Sequence, residues 1–391
     1  MTDIVQLKQR AITMIDAHRE ELIGLSTTIH SNPELAFKEF QSQNTLIAIL
    51  EKYGFQVHRG IGGIETAFRA EACGNGGDPT VAILAEYDAL PNLGHACGHN
   101  LICSAAIGAG IALKSLMQEL PGRVIILGTP AEEGGSGKVI MLKNGAFEGI
   151  DATMLVHPGT RTMVTRGSLA TVRVTVEFFG KAAHAAAAPE DGINALEALL
   201  ATFHNINALR LHLKADARIH GIITHGGTAL NVIPDYAAGR FSIRAAKRAY
   251  ANEILERVIQ CAHGGATATG AQLKYTADDG LAEIIPNRTM AHAFANNWHA
   301  LGIETQEPRQ NERMGSTDHG DVSHVIPSIH PYIAIAPEGT SGHTVAFREA
   351  AISSAGQTGM LNAAKGLAMT TIDLLCNQEL MRIAKAEITT Q

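Results

Sequence analysis

An α/β fold carrying an inserted α+β module is the architecture this sequence predicts, and three observations predict it. Four short apolar runs lie between segments of helical periodicity. Each run leads into carboxylate or imidazole residues. Between about residues 167 and 280 the pattern changes to alternating strands combined with two helices. A chain of 391 residues exceeds one ordinary compact domain, so two are expected.

In chain order, Ile4, Leu7, Ile12, Ile15, Leu22 and Leu25 recur at helical spacing over residues 3–29. A second helix fits Ser42 to Tyr53, with Gly54 as its stop signal. The apolar runs are Val81 to Ala85, Val124 to Leu127, Thr153 to Val156 and Tyr332 to Ala336. Their shortness predicts strands of a largely parallel sheet covered on both faces. The first leads to Glu86-Tyr87-Asp88 and the second to Glu132-Glu133. The third ends at His157 and the fourth precedes His343. Ligands of open α/β sheets bind beyond the carboxyl ends of the strands, so four such ends mark a candidate site. Leu101 to Leu113 is apolar and rich in Gly and Ala; it reads as a buried helix.

Thr171 to Phe178 alternates as a half-buried strand does. A helix over about 189–213, strands at Ala217–Thr224 and Tyr236–Ala245, a helix over 248–263 and a strand near Gln272–Thr276 follow. That order, strand-helix-strand-strand-helix-strand, predicts a ferredoxin-like module. The expected organisation is a first part at 1–166, an inserted module at 167–280 and a second part at 281–391.

Apolar residues make up 46% of the chain and charged residues 18%, which favours a buried core over disorder. A net charge of −7 without any Lys/Arg-rich run argues against nucleic acid and anionic membranes as partners. The start of the chain is broken by charges every few residues, so neither a signal peptide nor a spanning segment is expected. Five scattered Cys argue against a disulfide framework and for a cytoplasmic location.

The chemistry concentrates in a few motifs. His95-Ala96-Cys97-Gly98-His99-Asn100 is expected to open a helix, aiming a sulfur and a nitrogen at one point. The helix dipole there favours thiolate. Glu132 and Glu133 are neighbours whose side chains point apart in an extended segment, so one can hold a metal while the other faces substrate. His157 ends an apolar run, and His343 lies in a loop of small residues. Each alone fits a packed or exposed residue. Together Cys97, His99, Glu133, His157 and His343 are the donors that zinc and similar ions accept. Five ligands exceed one open tetrahedral zinc and suit two divalent ions. One thiolate and one carboxylate then leave about two positive charges to acidify bound water.

As an ordered set the motifs resemble the M20 metallopeptidase family, in its amidohydrolase branch, nearly end to end. They include Ile29 to Leu35, Ala85 to Pro91, Gly94 to Asn100 and Pro130 to Gly135. Val156 to Gly159, Gly180 to Ala185, Asn231 to Pro234, Gly315 to Asp318 and Gly342 to Thr344 complete them. The Glu-Tyr-Asp, H-A-C-G-H-N and G-S-T-D variants look closest to p-aminobenzoyl-glutamate hydrolases and related dipeptidases. The resemblance implies a zinc-peptidase-like catalytic domain of mixed sheet and a lid, or dimerisation, domain that makes a homodimer. It implies Cys97, His99, Glu133, His157 and His343 as ligands of two divalent ions, zinc or manganese. Glu132 would be the general base and then the acid, with Asp88 supporting a ligand. Many family members have His-x-Asp where this chain has Glu86-x-Asp88. His184 would steady the oxyanion in the partner's site, and Asn231 and Arg244 would bind the substrate carboxylate.

The expected reaction is hydrolysis of an amide bond in a small carboxylate-bearing substrate: an N-acyl or aryl-acyl amino acid, a p-aminobenzoyl-glutamate-like compound or a dipeptide. A cysteine hydrolase with Cys97 as nucleophile and His99 or His157 as base is a second reading, separable by chelation. A non-catalytic binding homologue is a third, tested by metal content.

Overall fold

The computed structural model describes residues 3–388; the outer bounds 1 and 391 of the expected catalytic parts lie outside them. The chain divides into two compact units. The first takes the described residues up to Gly167, then Ile284–Arg313 and those from Thr317 on; the second takes Ser168–Glu283 with Met314–Ser316.

The strands are β1 Gln56–Arg59, β2 Phe68–Cys73, β3 Asn75–Ala85, β4 Pro121–Gly128, β5 Ala152–Met154 and β6 His157–Gly159. They continue as β7 Ala170–Phe179, β8 Arg218–His225, β9 Tyr236–Ala245, β10 Gln272–Ala277, β11 Ser328–Ile329 and β12 Tyr332–Ala334.

In the first unit six strands form a mixed sheet in the order β1-β2-β4-β3-β5-β11. The pairs β3–β4, β3–β5 and β5–β11 are parallel, and β1–β2 and β2–β4 antiparallel. The sheet is covered on both faces, as the unbroken apolar runs predict. Val81, Ile83 and Ala85 enter one core with Leu25, Ala105, Trp298 and Leu367. Ala82 and Leu84 enter the other with Met141, Phe147 and Val322. This is the two-residue period of a strand buried on both sides. The helix His99–Lys114 is buried from His99 to Leu113, as its composition predicts.

Three local expectations change. Residues 3–29 form two helices, Ile4–Ala17 and Arg19–Ser31, broken at His18, whose N–H reaches back to Met14 and Ile15. The run at Tyr332 does not join the main sheet; it pairs with β6 in a separate two-stranded sheet. Pro331 lies between β11 and β12, and a proline there offers no N–H to a ladder. The helix expected from Pro189 starts only at Ala195, where Asn194 caps the N–H groups of Leu196 and Glu197.

The second unit is a four-stranded antiparallel sheet in the order β10-β7-β9-β8. Its helices are Ala195–Arg210 and Arg248–Thr269. Val172, Val174, Val176, Phe241 and Ile243 pack with Ala198, Leu199, Ile254 and Val258 into its own core. Among the described residues no helix is long and apolar enough to cross a membrane.

Candidate metal centre

Strand ends and sharp turns of the first unit bring the candidate donors together. β3 runs into Glu86 and Asp88, both buried. β4 runs into the turn Pro130-Ala131, where Ala131 takes the left-handed conformation at φ 62. A non-glycine residue holds that conformation only when its surroundings fix it. Glu39 supplies the fixing: its Oε1 accepts the Ala131 N–H at 3.0 Å, while its Oε2 accepts the Thr66 hydroxyl. The turn then presents Glu132 and Glu133 at the start of a single helical turn.

The motif around Cys97 opens the helix, as expected, at its second histidine. Gly98, at φ 81, turns the chain, and the helix begins at His99. Cys97 stands two residues ahead of it, its Sγ 3.4 Å from His157 Nε2. Burial pushes the Cys97 thiol up, so helix position alone does not make a thiolate here; a bound cation would.

Asp88 clamps two neighbours. Its backbone oxygen accepts from His99 Nδ1 at 2.9 Å, and its Oδ2 accepts the Glu133 N–H at 2.9 Å. With Nδ1 thus engaged, His99 turns Nε2 inward, 3.9 Å from Glu133 Oε1. His157 Nδ1 likewise donates to the Pro158 oxygen at 2.6 Å, leaving Nε2 for the centre. Such outer bonds fix the tautomer of a metal-binding imidazole. His343 enters from a loop whose N–H bonds the Ala96 oxygen, and its Nε2 lies 3.3 Å from Glu133 Oε1. Its side chain is 54% exposed, which opens the centre on that side.

Three overlapping groups result: Cys97, His99 and His157; Cys97, Glu133 and His343; His99, Glu132 and Glu133. Within each group the ligand atoms lie within 4.8 Å of one another. The structure therefore brings Cys97, His99, Glu133, His157 and His343 together in overlapping groups, two of which contain Cys97. His99 Nε2 and Glu133 Oε1 are buried without a hydrogen-bond partner. Unpaired buried groups of this kind are costly, and a cation between them satisfies both. The donor set fits two divalent ions.

Behind the donors lies a charged layer that the sequence reading did not assign. Lys138 is fully buried, its Nζ 2.7 Å from Glu86 and 2.6 Å from Asp318. Burial opposes its charge, but those carboxylates hold the ammonium well above its ordinary range. Glu86 Oε2 in turn faces His99 Nε2 at 3.5 Å. Burial raises the Glu132 carboxyl well above its usual range, and Glu86, Asp318 and Glu133 add to the rise. His330 stacks on His157 at 5.4 Å between ring centres, with Tyr332 packed on both. A lysine in the Gly-Ser-Gly-Lys segment, five residues after Glu133, was the signal available for Lys138.

The remaining expected residues belong to the second unit. His184 forms an isolated bridge with Val232, and Ala185 bonds the Asn231 oxygen, so His184 and Asn231 are neighbours along two adjacent backbones. Arg244 lies on β9, donating to Ser316 Oγ at 3.2 Å.

Known proteins resemble this chain in sequence and in fold. A family model described as a peptidase dimerisation domain matches residues 164–264. The chain is 39% identical over 399 residues to the Xaa-Arg dipeptidase of Mus musculus, spanning 97% of this chain and 92% of that protein. It is 31% identical over 448 residues to one of the subunits of the p-aminobenzoyl-glutamate hydrolase of Escherichia coli (strain K12), spanning 95% and 93%. Among solved structures, a dinuclear metal-binding peptidase of the M20 family from Bacillus subtilis shares the fold. Its TM-score is 0.72 at 24% identity, over 92% of this chain and 99% of that one.

Proposed function

This chain belongs to the M20 metallopeptidase family, and on that premise we propose that Cys97, His99, Glu133, His157 and His343 hold two divalent ions beside Glu132 as general base. The chain is a metal-dependent hydrolase of amide bonds in small substrates. The observation that carries the site reading is the convergence of the five donors with two orphaned buried atoms facing inward.

When bound, the ions, zinc or manganese, would polarise the scissile carbonyl and acidify a water. Glu132 takes the proton of the attacking water and returns it to the leaving amine. Asp88 holds His99 and Glu133 in register for this. Arg244 and Asn231 bind the substrate carboxylate, the guanidinium in a bidentate pair. His184 donates to the developing oxyanion. The second unit, which matches a dimerisation domain, makes the homodimer. The names of the relatives supply the candidate substrates, Xaa-Arg dipeptides and p-aminobenzoyl-glutamate. Five free cysteines suit a cytoplasmic location.

The test is metal analysis combined with hydrolysis of both substrate types before and after chelation. Two ions per chain, with activity lost on chelation and restored by zinc or manganese, is the expected result. Turnover by fully stripped protein would refute the metal reading and favour Cys97 as a nucleophile.

A further inference from the structure

In the first unit the segment 32–39 joins the helix Arg19–Ser31 to the helix Phe40–Lys52, and it is tied down along its length. The Glu34 carboxylate accepts the N–H groups of Gln41 and Ser42 at 2.9 and 2.7 Å, which fixes it on the start of the second helix. The Glu34 backbone oxygen accepts the Ala89 N–H at 2.8 Å, one residue past Asp88. A Cβ added to Gly94 would meet Pro33 at 3.8 Å. The Gly94 oxygen accepts the Ala96 N–H, and the Ala96 oxygen in turn holds the His343 N–H. A Cβ added to Gly134 would lie 3.4 Å from that of Ala36. The segment therefore spans from the stretch that seats His343 to the turn that presents Glu132 and Glu133.

Within it Phe37 is held against its own preference. Its φ is 65, in the left-handed region, where a bulky residue is an outlier. Its N–H donates to Glu39 Oε1 at 3.0 Å, the same oxygen that accepts the Ala131 N–H. One buried carboxyl thus fixes two left-handed residues, Phe37 in this segment and Ala131 at the head of the Glu132 turn. The ring rests on Gly135, where any side chain would collide with Phe37 Cε2 and Cζ. Even so, Phe37 remains 41% exposed and Leu35 42%. A strained backbone that leaves an aromatic ring partly in water gains less for the fold than one that buries it, and strain of this kind clusters at ligand sites. Two exposed apolar side chains beside a candidate metal centre offer a wall to an apolar group.

We infer that Phe37 is a specificity-determining residue: its ring, with Leu35, receives the apolar portion of the acyl half of the substrate, the half that contains the scissile carbonyl. The inference rests on the amidohydrolase reading above and names the residue that selects the acyl group. The free carboxylate belongs to the amine half, and a charge laid on an apolar wall loses water without gaining a partner. An apolar acyl group there exchanges its own hydration and that of Phe37 for contact. Because Phe37 and Ala131 share one acceptor oxygen, the wall keeps a fixed position relative to Glu132.

The experiment uses the metal-loaded full chain and two substrate series, Gly-Arg against Leu-Arg and N-acetyl- against N-hexanoyl-L-glutamate. In whichever series is hydrolysed, the larger acyl group should have a kcat/KM higher by about tenfold or more, the scale of a few methylenes on an apolar wall. Phe37→Gly removes the ring at a φ that glycine adopts freely, so it deletes the wall while relieving the backbone. The ratio between the two acyl groups should then fall to about one. Phe37→Asn, whose side chain also tolerates this φ, is a second deletion of the ring with the same expected result. Phe37→Tyr keeps the ring and should keep the ratio. A preference for the smaller acyl group, or a ratio unchanged in either ring deletion, overturns the proposal. If neither series is turned over, the amidohydrolase reading fails instead. Calorimetric binding of hexanoate against acetate, in the parent and in Phe37→Gly, then decides the present inference by the same ratio.

Discussion

The Lys138 ammonium lies 2.6 Å from the Asp318 carboxylate, and both side chains are sealed from solvent. The two residues are 180 positions apart, and Glu86 closes the group at 2.7 Å. One cation thus balances two buried carboxylates immediately behind His99. Removing one partner from such a group leaves charge buried and unpaired, which costs about 3–5 kcal/mol.

Lys138→Met should therefore destabilise the first unit by about that amount. Denaturant unfolding of the metal-loaded protein measures it. A change within roughly 0.5 kcal/mol, the range of an ordinary surface substitution, would show that the ion group does not hold this layer together.

Glu132→Gln keeps the shape of the side chain and removes its basicity. The expected result is a fall in kcat of about 10²–10⁴-fold, with two ions still bound by elemental analysis. Full turnover with both ions present would remove Glu132 from the chemistry.

Gly98→Ala is predicted to weaken metal binding rather than to unfold the chain. An added Cβ would lie 2.8 Å from Pro158 Cγ, at a φ of +81 that L side chains rarely adopt. The strain falls between Cys97 and His99 and against the residue following His157. We expect the affinity for zinc to drop about 10-fold or more, the scale of disturbed ligand support, as read by competition titration.

Glu39 should leave a mark on the pH dependence of stability. Burial pushes its carboxyl up to about 7, against the pull of the Thr66 hydroxyl bond. The folded state then holds a proton that the unfolded state has released between about pH 4.5 and 7. Stability falls as pH rises through that window, by at most roughly 1.4 kcal/mol per pH unit from this group. Unfolding free energies of Glu39→Gln, followed from pH 4.5 to 7, should lack that share of the slope. Parallel curves for the two proteins would count against it.

Much of the site was legible along the chain because its donors sit where local patterns end. An apolar run stops at Ala85, another at Gly128, and the residues just past them are Glu86, Asp88, Glu132 and Glu133. The ferredoxin-like order of the second unit was equally legible, since strand alternation and helix period are local properties. Lys138 was not legible. A lysine in a short helix reads as solvated, and only the fold reveals the two carboxylates around it.

The sequence by itself determined which groups are available: a sulfur, imidazoles and carboxylates at the ends of apolar runs, and Arg173 in β7 with Arg240 and Arg244 in β9. The tertiary structure decided which of them meet. Cys97 and His157, 60 positions apart, touch because sheet order and the turn at Gly98 carry them to one place. The arginines share one face because the register of β7, β9 and β8 puts them there, and a slip of one residue would divide them. Donor chemistry and periodicity belong to each short segment, whereas proximity across the chain exists only after the strands have paired and the cores have closed.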